Sequence, residues 1–117
     1  MDADVKWSRA REVMLAQRIE AGDTQARLTF IEENMPLARD CVKRLMPKHE
    51  GYRSRDLEAD LMGDACEALI KAVDRFDHRP GTKFSTYARP WIRGALMRRF
   101  TEDAKQPRPS AYVTSDI

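Results

Sequence analysis

No stretch of this 117-residue chain approaches the ~20 consecutive apolar residues that a membrane-spanning helix needs. The opening Met1-Asp2-Ala3-Asp4-Val5-Lys6 is polar and acidic, without the apolar core of a secretory signal. Cysteine occurs twice, at Cys41 and Cys66, in helix-like stretches and at no metal-ligand spacing. Two reduced thiols in a cytoplasmic protein are expected, with a disulfide between two helices as the alternative. Five Gly and six Pro are ordinary numbers and exclude a collagen-like or bulk disordered chain. A glycine-rich phosphate loop, GxSxG, HExxH and EF-hand spacing are all missing. The two histidines, His49 and His78, fall in a charged loop and a turn, with no nucleophile or carboxylate at a motif spacing. The carboxylate pairs Glu32/Glu33 and Asp60/Asp64 have no histidine at helical spacing to complete a metal site. No metal, no cofactor and no enzymatic chemistry are expected.

What the chain does have is helical periodicity. Period-two alternation is missing, and 117 residues suffice for one small domain. A first helix is expected over about 5–21, closed by Gly22 in the left-handed conformation, with Asp23 or Thr24 capping the next. Leu28, Ile31, Met35, Ala38, Val42 and Leu45 then follow at spacings of three and four, one apolar seam interrupted by Pro36, where a kink or break is expected. Residues 47–54 read as a loop. A helix over about 54–76 carries Leu57, Leu61, Ala65, Ala68, Leu69, Ala72 and Phe76 on one stripe. A turn at Pro80-Gly81 precedes a last helix, capped by Ser85 or Thr86, carrying Phe84, Tyr87, Ala88, Trp91, Ile92 and Ala95 and ending near Phe100, with Pro90 in its first turns. The expected fold is an all-α compact bundle of four to five helices over 1–100, followed at 101–117 by an extended tail or the start of a further region.

Charge is segregated. Residues 50–70 hold two basic and six acidic side chains, whereas 71–109 hold ten basic and four acidic ones. Adjacent blocks of opposite sign point to two partners, one cationic and one polyanionic, unless both are merely solvated helix faces. In the basic block, Phe76, Phe84, Tyr87 and Trp91 interleave with Arg75, Arg79, Lys83, Arg89, Arg93, Arg98 and Arg99. Cations neutralise phosphates and aromatic faces accept unstacked bases, at roughly 1–3 kcal/mol per base. Phe76 and Phe84 also suit a core plug at the turn, and Tyr87 and Trp91, four apart, equally suit a core face.

The runs Ala72-Val73-Asp74-Arg75-Phe76-Asp77, Gly81-Thr82-Lys83-Phe84-Ser85-Thr86-Tyr87-Ala88 and Trp91-Ile92-Arg93 resemble region 2 of the sigma-70 family of bacterial RNA polymerase initiation factors. Asp60-Leu61 with Ala68-Leu69-Ile70-Lys71 is similar to that family's polymerase-binding helix, and the likeness extends over about residues 7–100. The resemblance implies that Asp60, Leu61, Asp64, Glu67 and Ile70 dock on the clamp helices of the largest catalytic subunit of core RNA polymerase. It implies that promoter DNA is opened at the minus-ten element, with a flipped non-template base resting on Tyr87. Phe76 and Phe84 would line or support that pocket, and Trp91 would stack at its upstream edge. Lys83, Arg89 and Arg93 would contact phosphate, with Thr86 and Arg98 on the same DNA-binding surface.

Departures from the family pattern are as informative. Pro90 with Ile92-Arg93-Gly94 fits alternative sigma factors, and Gly94 and Met97 stand where housekeeping members carry polar residues that read an upstream base pair. Gly63 and Cys66 replace polar amides of the docking helix. No helix-turn-helix follows, so upstream promoter contact would fall to a second protein, and the Met1 start is read as favouring a stand-alone or split factor over a fragment. A clamp-binding adaptor, decoy or anti-sigma-type regulator would need only the acidic helix. The retained aromatic set favours the initiation factor.

Overall fold

A computed structural model describes residues 9–46 and 54–105, with side chains at 9–46 and 57–101. Five helices follow one another: α1 (Arg9–Glu20), α2 (Thr24–Glu33), α3 (Met35–Leu45), α4 (Ser54–Arg75) and α5 (Phe84–Lys105). The described residues contain no strand, as the missing two-residue alternation requires. The expected loop at 47–54 lies outside the described residues apart from Ser54, which opens α4.

The hinges between the short helices follow from local chemistry. Gly22 adopts a φ of 94°, the Gly22 amide donates to the Ile19 carbonyl at 2.9 Å, and the Asp23 amide donates to Arg18 at 2.9 Å. This paired closure is available to a left-handed residue after a helix, and glycine takes that conformation without a Cβ penalty. Asp23 then caps α2 by accepting from the Ala26 amide at 3.0 Å. The break near Pro36 falls at Asn34, whose Nδ2 donates to the Phe30 carbonyl at 2.9 Å inside the core. Pro36 thus sits in the first turn of α3, where its missing N–H leaves no bond unmade.

Across that break the expected seam keeps to the core, with Ile31, Met35 and Leu45 partly buried against it, and departs only at its first member. Leu28 is 48% exposed, and α2 buries Ala26 and Phe30 instead. The second half holds, with Ala38 and Val42 buried and Cys41 added to them. Cys41 and Cys66 form no disulfide, and burial pushes the Cys41 thiol up.

The largest interface is α4 on α5. The two run antiparallel: Asp64 midway along α4 meets Arg99 late in α5, and Arg75 at the end of α4 lies over Trp91, earlier in α5. Leu61, Ala65, Leu69 and Ala72 from α4 interlock with Phe84, Ala88, Ile92 and Leu96 from α5, all inaccessible to solvent. Alanines facing the larger side chains let the two long helices approach closely. Phe84 packs edge-on to Phe30 and Phe76, with ring centroids 4.8 and 5.2 Å apart. Such a ring lost to alanine costs about 3–5 kcal/mol.

Helix α5 differs from expectation at both ends. It begins at Phe84, one residue before the hydroxyls expected to cap it, and the Phe84 amide donates instead to the Glu12 carboxylate of α1 at 3.0 Å. A buried side chain 72 residues away therefore replaces the local cap and sets a negative charge against the positive end of the helix. At the other end α5 passes residue 100, where the extended tail is expected to begin, and reaches Lys105. Phe100 is buried there and the Thr101 hydroxyl donates back to the Met97 carbonyl at 3.0 Å. Pro107 and Pro109 lie outside the described residues. Pro90 is accommodated inside α5. It gives up one backbone bond to the Thr86 carbonyl.

Two stability predictions follow. Burial raises the Glu12 carboxyl above its ordinary value of 4.5, against the opposing pull of the Phe84 amide, Arg9 and Lys83. The folded state then holds more protons than the unfolded state above about pH 4.5, so this group makes stability fall as pH rises through that window. Glu12→Gln, which keeps an acceptor, should flatten that fall and match or exceed the parent near neutral pH. Glu12→Ala should cost about 1–2 kcal/mol near and below pH 4.5 and less as pH rises, as read by urea unfolding. Gly63 is exposed within α4, with no atom within 4 Å of the position a Cβ would take, so Gly63→Ala should stabilise by about 0.5–1 kcal/mol in the same assay.

Candidate functional site

Asp60, Asp64, Glu67 and Lys71 recur every three or four residues along α4, one position ahead of the buried Leu61, Ala65, Ala68 and Ala72. The helix that buries one stripe therefore presents an acidic seam beside it. Glu67 is exposed and lies 3.8 Å from Lys71, one turn away. Asp60 is 58% exposed, but Asp64 only 26%. The Arg99 guanidinium explains the difference. Its Nε donates to Asp64 Oδ2 at 2.6 Å and its Nη2 to Asp64 Oδ1 at 3.3 Å, while Nη1 lies 3.6 Å from Asp60 Oδ2. Ile70 is half-buried. Leu61, expected to touch a partner, is corrected here: it is fully sealed between α4 and α5 and can only hold its acidic neighbours in place.

The aromatic residues form a graded row out of the core. Phe84 is fully sealed, so it cannot touch nucleic acid, and only the supporting half of its expected role remains. Phe76 is half-buried, with its ring 5.2 Å from Phe84 and 5.6 Å from Tyr87. Tyr87 and Trp91 are half-buried, 6.2 Å apart between centroids, and both pack their inner edges on the core. The Tyr87 hydroxyl donates to the Arg75 carbonyl at 3.3 Å, fixing the ring against the end of α4. The Arg75 guanidinium lies 5.4 Å from the Trp91 ring centre, a cation–π distance. Neither ring is fully buried.

The structure does not gather all the expected cations around these rings. Trp91, Ala95, Arg98 and Arg99 share a cleft of about 220 Å³ with Asp64, Glu67, Ala68 and Lys71 of α4. Arg89 and Arg93 turn the other way, into a groove of about 770 Å³ against α3, where Arg44 and Leu45 face Pro90, Gly94 and Met97. Arg89 and Arg44 both approach Asp40, at 3.4 and 2.8 Å, and the Arg44 hydrogen bond holds that carboxyl below its usual range. Lys83 and Thr86 are exposed near the start of α5. Residues outside the expected set also matter: Arg75, which covers Trp91, and Arg99, which covers Asp64. Both sit in the basic block, yet only the α4–α5 register tells which ring or carboxylate each one meets.

Other charges hold this end of the molecule together. Arg27 binds Asp74 through two nitrogens at 2.7 and 3.1 Å, tying α2 to the end of α4 and holding the Asp74 carboxyl down. Arg79 bridges Asp77 and Glu20 at 2.8 and 3.1 Å, and Arg9 donates to the carbonyls of His78 and Thr82. The turn from α4 into α5 is thus braced from α1. Among the described residues no group of three His, Cys, Asp or Glu is placed to hold a metal ion, and no helix is long and apolar enough to cross a membrane.

Comparison with known proteins joins these faces to a family. The family model for sigma-70 region 2 matches residues 30–114, which contain both the acidic seam and the aromatic row. The RNA polymerase sigma factor SigA of a Bacillus species is 38% identical over 106 residues, covering 91% of this chain and 26% of that protein. The SigA proteins of Listeria monocytogenes and Clostridium acetobutylicum are 37% and 38% identical over the same length. The chain spans about a quarter of the length of these relatives. With region 2 matched over most of its length, this chain belongs to the sigma-70 family.

Proposed function

We propose that the chain acts as a sigma-type transcription initiation factor. It binds core RNA polymerase through α4 and promoter DNA through α5, and it performs no catalysis of its own. The observation that carries this reading is the shared α4–α5 cleft, with acidic docking residues on one wall and Trp91 and Arg98 on the other, inside the segment that matches region 2.

In this reading Asp60, Asp64 and Glu67 meet cationic side chains on the clamp helices of the largest catalytic subunit, and Ile70 adds an apolar contact. Isolated exposed ion pairs contribute little, about 0–1 kcal/mol, so docking relies on several carboxylates in one row losing water together. A non-template base of the minus-ten element rests on Tyr87, whose ring is braced by Phe76 and by its hydrogen bond to Arg75. Trp91 caps the upstream edge of the opened strand. Arg98 neutralises phosphate on this side, and Arg89 and Arg93 do so along the α3 groove, where the duplex is still paired. Because those two lie on a different face from the rings, DNA would bend around α5 rather than lie flat on it. A second protein supplies upstream promoter contact.

Two experiments test the halves separately. Asp64→Arg would set a second guanidinium beside Arg99 and disturb the α4–α5 pair, so Asp60→Arg, at a largely exposed position, is the cleaner probe. It should weaken binding to core polymerase about tenfold with an unchanged circular dichroism spectrum, and undiminished co-purification would remove the docking assignment. Tyr87→Ala should bind core polymerase normally yet lose opening of a minus-ten duplex, read by a fluorescent base analogue in the non-template strand. If opening survives this change, the adaptor or decoy reading replaces promoter melting.

A further inference from the structure

The acidic seam is not simply presented to solvent, because one of its members is already engaged. Arg99 reaches across from α5, takes Asp64 through two nitrogens and lies within 4 Å of Asp60. Its position is fixed by the core: Leu96 and Phe100, on either side of it along α5, are buried, and Leu61, between the two aspartates, is fully sealed. The Arg99 side chain is 33% exposed, at the rim of the cleft that also holds Trp91, Arg98 and Lys71. A planar cation seated on two carboxylates is the arrangement that a docking arginine of a partner would otherwise make there.

We infer that Arg99 is an internal competitor for the polymerase and couples its binding to that of DNA. In the isolated chain it occupies Asp64. When a cation of the clamp takes that carboxylate, Arg99 is displaced toward the cleft, where Arg98 and Lys71 already gather positive charge, and it becomes available to a DNA phosphate. By linkage the effect runs both ways: a phosphate that draws Arg99 away exposes Asp64 and strengthens docking by the same factor. The inference rests on the docking role proposed for Asp64, and the experiment separates the two.

Affinity for core polymerase is measured with the full chain, by fluorescence anisotropy, for the parent, Arg99→Gln, Asp64→Asn and the double variant, each checked for folding by thermal melting. Arg99→Gln should bind core polymerase about fivefold more tightly, the factor appropriate to one partly exposed, two-nitrogen ion pair. The gain should vanish in the Asp64→Asn background. A minus-ten single-stranded oligonucleotide should tighten parent binding to core and leave Arg99→Gln almost unaffected. Should Arg99→Gln fold poorly, Arg99→Lys, which keeps the charge with one contact, should give a gain of about half that size on the logarithmic scale. If Arg99→Gln binds like the parent or more weakly while Asp64→Asn loses affinity, docking through Asp64 stands and the competitor role is overturned. If neither single change alters affinity, the docking role of Asp64 fails and the coupling falls with it.

Discussion

The register of α4 against α5 is the constraint on which everything else in this molecule depends. Leu61, Leu69, Phe84, Ile92 and Leu96 close that interface completely, with alanines between them. A side chain that is sealed has one place to be, and its neighbours along the helix inherit that placement. Asp60 and Asp64 flank Leu61, so they are held at the rim of the interface. Trp91 precedes Ile92 and Arg98 follows Leu96 by two, so they line the same rim from the other side. A slip of one helical turn would part Asp64 from Arg99 and Arg75 from Trp91 without exposing any new apolar stripe.

Much of this was legible in the sequence, for reasons that are local. Gly22 and Asp23 terminate and restart helices through bonds reaching no more than five residues, and Pro36 marks the start of α3. The stripe of α4 repeats cleanly because that helix is uninterrupted. Legibility failed where the determinant was distant. The seam failed only at Leu28, because α2 turns Phe30 inward against Phe76 and Phe84 instead. The cap of α5 came from Glu12, and the partner of Asp64 from residue 99, both separations that no spacing rule spans. Leu61 and Phe84 fell within the recognised motifs, but the motif does not say which of its residues act by contact and which by support.

The charge pattern also changes meaning in three dimensions. The sequence shows a basic block of ten cations, whereas the structure commits several of them. Arg79 braces the turn with Glu20 and Asp77, Arg99 engages the acidic seam, and Arg89 shares Asp40 with Arg44. Asp74 and Asp77, inside the same block, are held ionised by Arg27 and by Arg79. The field offered to a polyanion is therefore smaller than the composition suggests, and it is split between the cleft at Arg98 and the groove at Arg93.

That limited field bears on how the proposed strand opening would be driven. Each base-pair step of DNA that unstacks costs about 1.4 kcal/mol on average, and a base resting on an aromatic ring returns roughly 1–3 kcal/mol. Phe76, Tyr87 and Trp91 are the partly exposed rings of the row, so in the proposed role stacking would offset the opening of only a few steps. Phe76 is half-buried under Tyr87, and Phe84 contributes rigidity rather than contact. In the proposed role the domain would be poised close to balance, and a modest extra phosphate contact would tip it. A cation kept in reserve on Asp64 and released by docking would act where that balance is most sensitive. The same carboxylate row proposed to recruit the polymerase would then also set the moment at which the strands part.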